Sequence, residues 1–234
     1  MRLDRFICKS TDLTKGDATL LINKGEVFVN GEVATNETSQ VHENNKIMLN
    51  SQQLKTRPFR YLLIHKPANT ICSNIDEVYP SLFNYIEIDK VSELHVAGRL
   101  DADTTGLVLV TDDGRWSFDI IRPEKQCKKV YRVGLSKPIA DDVIDQFKNG
   151  IKLQGESNLT RPAELVIINP NEGLLTITEG KFHQVKRMFS TVGNRVVSLH
   201  RETIGEISLD VEVGQWRYLT ANEVNSFTAQ GEPK

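Results

Sequence analysis

Apolar residues recur at two periods along the chain, and the changes of period mark its elements. Leu3, Phe6 and Ile7, then Ala18, Leu21 and Ile22, follow the spacing of one helical face. Gly25 ends the second of these helices. Val27-Phe28-Val29 and Glu32-Val33 flank Asn30-Gly31, two residues that tolerate positive φ and so suit a two-residue hairpin turn. Lys55-Thr56-Arg57-Pro58-Phe59 reads as a linker, because Pro58 blocks a helix and keeps Arg57 extended. Residues 1–54 are therefore expected to form a small module, 55–59 a linker and 60–234 a second domain.

Within 60–234, Tyr61 to Ile64 is an apolar strand running into His65-Lys66-Pro67, and Leu94 to Ala97 leads into a glycine-bounded motif. Leu107 to Val110 is an unbroken apolar run, the pattern of a strand buried on both faces. Asp112-Asp113-Gly114 reads as a turn in which glycine supplies positive φ, followed by a short helix to Ile121. Lys128 to Val133 alternates, predicting a strand with one exposed face and with Lys129 and Tyr131 on the same side. Residues 138–149 read as an amphipathic helix that turns Ile139, Val143, Ile144 and Phe147 inward. Ala163 to Ile168 and Leu174 to Thr178 are expected to pair antiparallel across Asn169-Pro170-Asn171-Glu172-Gly173. Val185, Met188, Phe189 and Val192 form one helical stripe flanked by Lys186 and Arg187, and Val196 to Arg201 is a further strand.

Composition narrows the class. The chain has 234 residues, 39% of them apolar and 26% charged, as in a soluble globular protein. No apolar run approaches the ~20 residues of a membrane span, and no signal-peptide core is present, so the cytoplasm is the expected compartment. Cys8, Cys72 and Cys127 are odd in number and dispersed, which fits neither a disulfide framework nor a zinc site. A net charge of −2 argues against a polyanionic partner, but the charge is unevenly placed. From Arg122 to Arg132 five cations face one anion, and from Glu179 to Arg201 five again face one. Local patches of that kind steer nucleic acid.

The chemistry-bearing residues gather in Gly98-Arg99-Leu100-Asp101-Ala102-Asp103-Thr104-Thr105-Gly106, a short loop leading into the buried strand. Such a strand holds a neighbouring carboxylate in place. Asp101, Asp103, Thr105, Gly106 and Asp112 fall at calcium-loop positions, but position twelve is not Glu, position nine is Leu109 and no helices flank the loop. Asp103-Thr104-Thr105-Gly106 carries one Thr too many for an aspartic-protease motif and has no second copy. Two readings remain: a single nucleophilic or general-base carboxylate, and a turn whose aspartates cap backbone N–H groups.

Four motifs together resemble the RsuA-type pseudouridine synthase family. They are the loop just described, Lys129-Val130-Tyr131-Arg132-Val133, His183-Gln184-Val185-Lys186-Arg187-Met188-Phe189, and Leu199-His200-Arg201-Glu202-Thr203-Ile204-Gly205. Met1 to Phe6 and Ile22 to Gly31 resemble the S-four-type RNA-binding module. The chain departs from that pattern at Lys15, where an Arg is usual, and so loses a bidentate phosphate fork. Seven cations and seven anions cancel over residues 1–55, so RNA binding by the module is expected to be weak. The resemblance implies an α+β fold: a mixed, mainly antiparallel sheet with flanking helices, behind a small N-terminal α/β RNA-binding module.

It further implies that Asp101 is the catalytic carboxylate, that Tyr131 lies against the target base, and that Lys186 pairs with Asp101, Arg99 being a second candidate. Arg99, Lys129, His183, Gln184, Arg187 and Arg201 are implied as substrate-binding. An aromatic ring can hold an extruded base and shield the carboxylate from water. The implied reaction isomerises a uridine and needs no cofactor and no metal. The implied partner is 16S rRNA or a small-subunit assembly intermediate, with no membrane and no obligatory protein partner, and the chain is expected to be a monomer. Leu199-His200-Arg201 differs from the Leu-Lys-Arg or Leu-Arg-Arg usual in synthases acting on large-subunit rRNA. A 23S synthase and a non-catalytic assembly factor remain the alternatives.

Overall fold

A computed structural model of the chain describes residues 1–42 and 44–227. The chain divides into two compact units, Met1–Pro58 and Phe59–Lys234.

The first unit contains helices α1 (Leu3–Ser10) and α2 (Lys15–Asn23), then strands β1 (Val27–Val29), β2 (Glu32–Val33), β3 (Ile47–Leu49) and β4 (Gln52–Gln53). The strands lie in the order β2-β1-β3-β4. The predicted helical faces do form its core: Leu3, Phe6, Ile7, Ala18 and Ile22 pack with Val27 and Ile47. A capping box between Thr14 and Asp17 starts α2. Asn30 and Gly31, at φ 54° and 92°, turn β1 into β2. Inside this core Asp4 is fully buried, and Arg2 grips both its oxygens at 3.1 and 2.7 Å. Burial pushes the Asp4 carboxyl up, but Arg2 and the Arg5 amide outweigh it and hold the carboxyl below its ordinary value.

The second unit runs β5 (Tyr61–Lys66), β6 (His95–Ala97), β7 (Thr105–Thr111), α3 (Gly114–Ile121), β8 (Lys129–Leu135), α4 (Asp142–Asn149), β9 (Glu164–Asn169) and β10 (Glu172–Ile177). It continues with α5 (Gln184–Thr191), β11 (Val196–Ile204), β12 (Ile207–Ser208), β13 (Trp216–Tyr218) and α6 (Ala221–Ser226). Its nine-stranded sheet has the order β13-β5-β7-β11-β8-β10-β9, with β12 on β11 and β6 on β7. Among the described strands every pairing is antiparallel except that of β7 with β11. The expected α+β architecture, a mixed and mainly antiparallel sheet with flanking helices, is the one observed.

Both sheet faces are covered, and this explains the unbroken apolar runs. Leu62, Ile64, Val108 and Val110 point into one core with Val185, Met188 and Phe189 of α5 and Val143 and Phe147 of α4. Leu63, Leu107 and Leu109 point into a second core with Trp116 and Ile120 of α3. Each alternate residue of β5 and β7 therefore needs to be apolar, whichever face it serves.

Two local expectations need correction. The helix read over 138–149 begins only at Asp142: Ile139 packs ahead of it with its amide bonded to Pro170 O at 2.7 Å, and Ile144 lies exposed. Pro138 lies ahead of it, and Ile144, one residue beyond inward Val143, is rotated about 100° away. Asp112-Asp113-Gly114 is not a glycine turn. Asp113 is the N-cap of α3, accepting from the Arg115 and Trp116 amides at 3.0 and 3.2 Å, and Gly114 is its first helical residue.

Near the C-terminus, Arg217 bridges Glu223, of the α6 capping box, and Asp210. That pairing holds the Glu223 carboxyl down to about 2. An unfolded Glu titrates near ~4.3, so this contribution is complete above that pH and is lost as pH falls through about 2. Glu223→Gln should therefore cost about 1 kcal/mol at pH 7, a typical capping magnitude. Chemical unfolding from pH 7 to 3 should show the variant and wild type converging below about pH 4.5. A constant gap would show that the charge is not the cause.

Candidate active site

Asp101 sits in the loop between β6 and β7, and two buried cations shape that loop from beneath. Lys66, the last residue of β5, is fully buried and donates to the carbonyls of Pro67, Ala102 and Thr104 at 3.0, 3.1 and 2.8 Å. Arg201 of β11, 1% exposed, donates through Nε to Leu107 O at 2.7 Å and through Nη2 to Gly98 O at 2.8 Å. Its Nη1 lies 3.3 Å from the Tyr131 hydroxyl. The Leu100 amide donates to Cys72 Sγ, and the Thr104 amide closes a turn on Asp101 O. A charge buried away from water persists when its hydrogen bonds are complete, which three carbonyls provide for Lys66. Burial still pushes the Lys66 ammonium below its ordinary value, against the attraction of Cys72, Asp103 and Asp101.

The Asp101 side chain opens into a cleft of about 610 Å³ lined also by Arg99, Lys129, Tyr131, Phe182 and Lys186. Lys186 reaches it from α5: its Nζ lies 3.0 Å from Asp101 Oδ2 and 2.7 Å from Asp103 Oδ1. Burial lowers the Lys186 ammonium and the two carboxylates raise it, with a net upward displacement that keeps it charged. The same contact holds the Asp103 carboxyl below its ordinary range, against partial burial. His183 Nε2 stands 3.3 Å from Asp101 Oδ1. One carboxylate thus faces a lysine and an imidazole, while Tyr131, 7% exposed, forms part of the wall.

The other residues named from sequence are placed differently from one another. Arg99 is exposed on the cleft, with no ion pair among the described residues. Lys129 shares the inner face of β8 with Tyr131, as the alternation predicted, but is itself buried, with Nζ on Cys127 O at 3.1 Å. Burial lowers its ammonium. Gln184 lies under the loop rather than on its surface, accepting from the Lys181 amide at 2.8 Å and donating to Glu179 at 2.9 Å. Arg187 is engaged by Glu156 and by the carbonyls of Phe182 and Gln154, outside the cleft lining.

The two basic stretches are therefore less available than their charge suggested. In the first, Arg122 pairs with Asp119, Arg132 pairs with Glu172 and Glu202, and Lys129 is inside. In the second, Lys181 and Arg187 share Glu156, Lys186 faces two aspartates, and Arg201 is internal.

Sequence reasoning missed the part played by Lys66 and by Asp103. The one local trace is a lysine two residues past the apolar run Leu62-Leu63-Ile64, which places Lys66 at a strand end but does not show that it is internal.

A carboxylate contacts a lysine beside an open, partly apolar cleft on a mixed sheet covered on both faces, and comparison with known proteins identifies the family. Residues 60–191 match the model of the RNA pseudouridylate synthase family, and residues 1–47 match the S4 domain. The chain belongs to the RNA pseudouridylate synthases. It is 47% identical to ribosomal small subunit pseudouridine synthase A of Vibrio parahaemolyticus, over 97% of this chain and 99% of the relative. Identity to the protein of the same name from Escherichia coli K12 is 42%, over the same shares. A solved structure described as a pseudouridylate synthase superposes with a TM-score of 0.72 at 40% identity, covering 97% of this chain and 99% of that one. Among the described residues no helix is long and apolar enough to cross a membrane.

Proposed function

We propose that this chain converts one uridine of 16S rRNA, uridine 516, to pseudouridine, with Asp101 as the catalytic carboxylate. The observation that carries the chemistry is the Asp101–Lys186 contact at 3.0 Å inside the cleft. The small-subunit assignment rests on the near full-length likeness to relatives named for that activity.

In the reaction the N1–C1′ bond of uridine breaks, uracil turns, and a C5–C1′ bond forms. The proton leaves C5 and N1 gains one, so substrate and product are isomers and no co-reactant is required. Asp101 acts on the nucleotide as nucleophile or base, and Lys186, 3.0 Å away, supplies its counter-charge in a site that RNA covers. Tyr131 lies against the extruded base, and Arg201 positions Tyr131 and the Asp101 loop without touching substrate. Arg99 and the S4 domain serve RNA affinity.

The test is chemical tagging of pseudouridine across both rRNAs from cells lacking this gene, with and without the gene restored. We expect one 16S site to disappear and return. A lost 23S site would redirect the assignment to the large subunit. Loss of no site would favour a non-catalytic assembly factor, a role for which an intact Asp101, Tyr131 and Lys186 are unnecessary.

A further inference from the structure

Phe182 is 76% exposed, yet it stands on the wall of the cleft that holds Asp101. Among the described residues Phe182 is the most exposed of the phenylalanines, tyrosines and tryptophans, above Phe118 at 58% and Tyr218 at 51%, whereas Phe83, Trp116, Phe147 and Phe189 are buried.

The ring is not loosely placed. It stacks on His183 at 3.7 Å between centroids and 22° between planes. His183 holds a left-handed backbone, φ 49°, at the start of α5, and its Nε2 faces Asp101 at 3.3 Å. The Phe182 carbonyl accepts from Arg187 at 3.0 Å. On the preceding residue, the Lys181 amide is held by Gln184 at 2.8 Å and its ammonium by Glu156 at 2.9 Å. Asp101, His183 and Phe182 thus form a graded series: a carboxylate, an imidazole against it, and a flat apolar face beyond, open to solvent. Ile121, also exposed, adds apolar surface to the same cleft.

We propose that Phe182, backed by His183, is a base-stacking residue for a nucleotide adjoining the uridine that enters the cleft. The inference rests on the reading of the cleft as a uridine site. Extruding a uridine leaves its neighbours unstacked on one side, and an aromatic ring restores that contact with any base, since every base has a π-face. His183 occupies one side of the Phe182 ring and leaves the other to the RNA. Phe182 therefore serves affinity and register, not bond-making.

The experiment uses the full chain and a 16S fragment carrying 2-aminopurine immediately 5′ or 3′ of the target uridine. Phe182→Leu keeps an apolar side chain and removes the π-face, Phe182→Ala removes both, and Phe182→Trp keeps the stack. Loss of one base–aromatic stack corresponds to about 5- to 150-fold in affinity. We expect Phe182→Leu and Phe182→Ala to raise KM within that range with kcat changed less than about twofold, and Phe182→Trp to match wild type. One of the two labelled RNAs should be quenched by wild type and Phe182→Trp and not by Phe182→Leu. A Phe182→Leu variant with wild-type KM and quenching would overturn the proposal. A wild-type chain that forms no pseudouridine would instead sink the proposed activity, while the quenching comparison would still decide the stack.

Discussion

Asp101→Asn is expected to abolish pseudouridine formation, by on the order of 10⁴-fold or more, while leaving the fold and RNA binding in place. The substitution changes one atom. The loop that carries residue 101 is fixed through its carbonyls by Lys66 and Arg201, and neither bond involves the carboxyl group. Lys186 retains Asp103 at 2.7 Å and so is not stranded. A neutral carboxamide, however, is a poor nucleophile and takes no proton at neutral pH. Removing a negative charge that faces RNA should, if anything, tighten binding. Single-turnover tagging assays beside filter binding separate the two quantities. Turnover above about 1% of wild type would mean that another group performs the chemistry.

Gly106→Ala is expected to be strongly destabilising. Gly106 sits opposite Arg201 in the parallel pairing of β7 and β11, at φ 111°. A Cβ there would lie 2.3 Å from Arg201 O, 2.6 Å from its N and 2.9 Å from its C, all backbone atoms that cannot swing aside. An L-residue is strained at this φ by about 1–3 kcal/mol, and forcing the strands apart adds a similar amount. The sum, about 2–6 kcal/mol, should lower Tm by about 10 °C in a chain of this size. Displacing Arg201 also loosens its bonds to Gly98 and Leu107, so kcat should fall about 10²-fold even below the new Tm. A fall of less than about 3 °C would show that the two strands do not approach this closely.

Much of this was legible in the chain because it depends on local pattern. The apolar runs of β5 and β7, the stripe of α5 and the Asn30-Gly31 turn each carry their own signal. Asp101 and Lys186 were named together only through likeness to a family, since 85 residues separate them and no periodicity joins them. What remained hidden depends on convergence in space. Lys66 is internal because three carbonyls from two segments meet at its ammonium, and no window of sequence shows that meeting. The charge counts misled for the same reason: Glu156, Glu172 and Glu202 lie outside the basic stretches they neutralise. Asp113 was read as half of a turn because a cap and a turn favour the same residues.

The span between residues 101 and 186 has a consequence for how the molecule is born. A ribosome makes the carboxylate long before its lysine, and it makes β11, which locks the loop from below, later still. Throughout that interval the emerging polypeptide carries an acid without a counter-ion on a sheet without its middle strand. On the proposed role of Asp101, competence is expected only within the last quarter of translation, and a product that ends before β11 should form no pseudouridine.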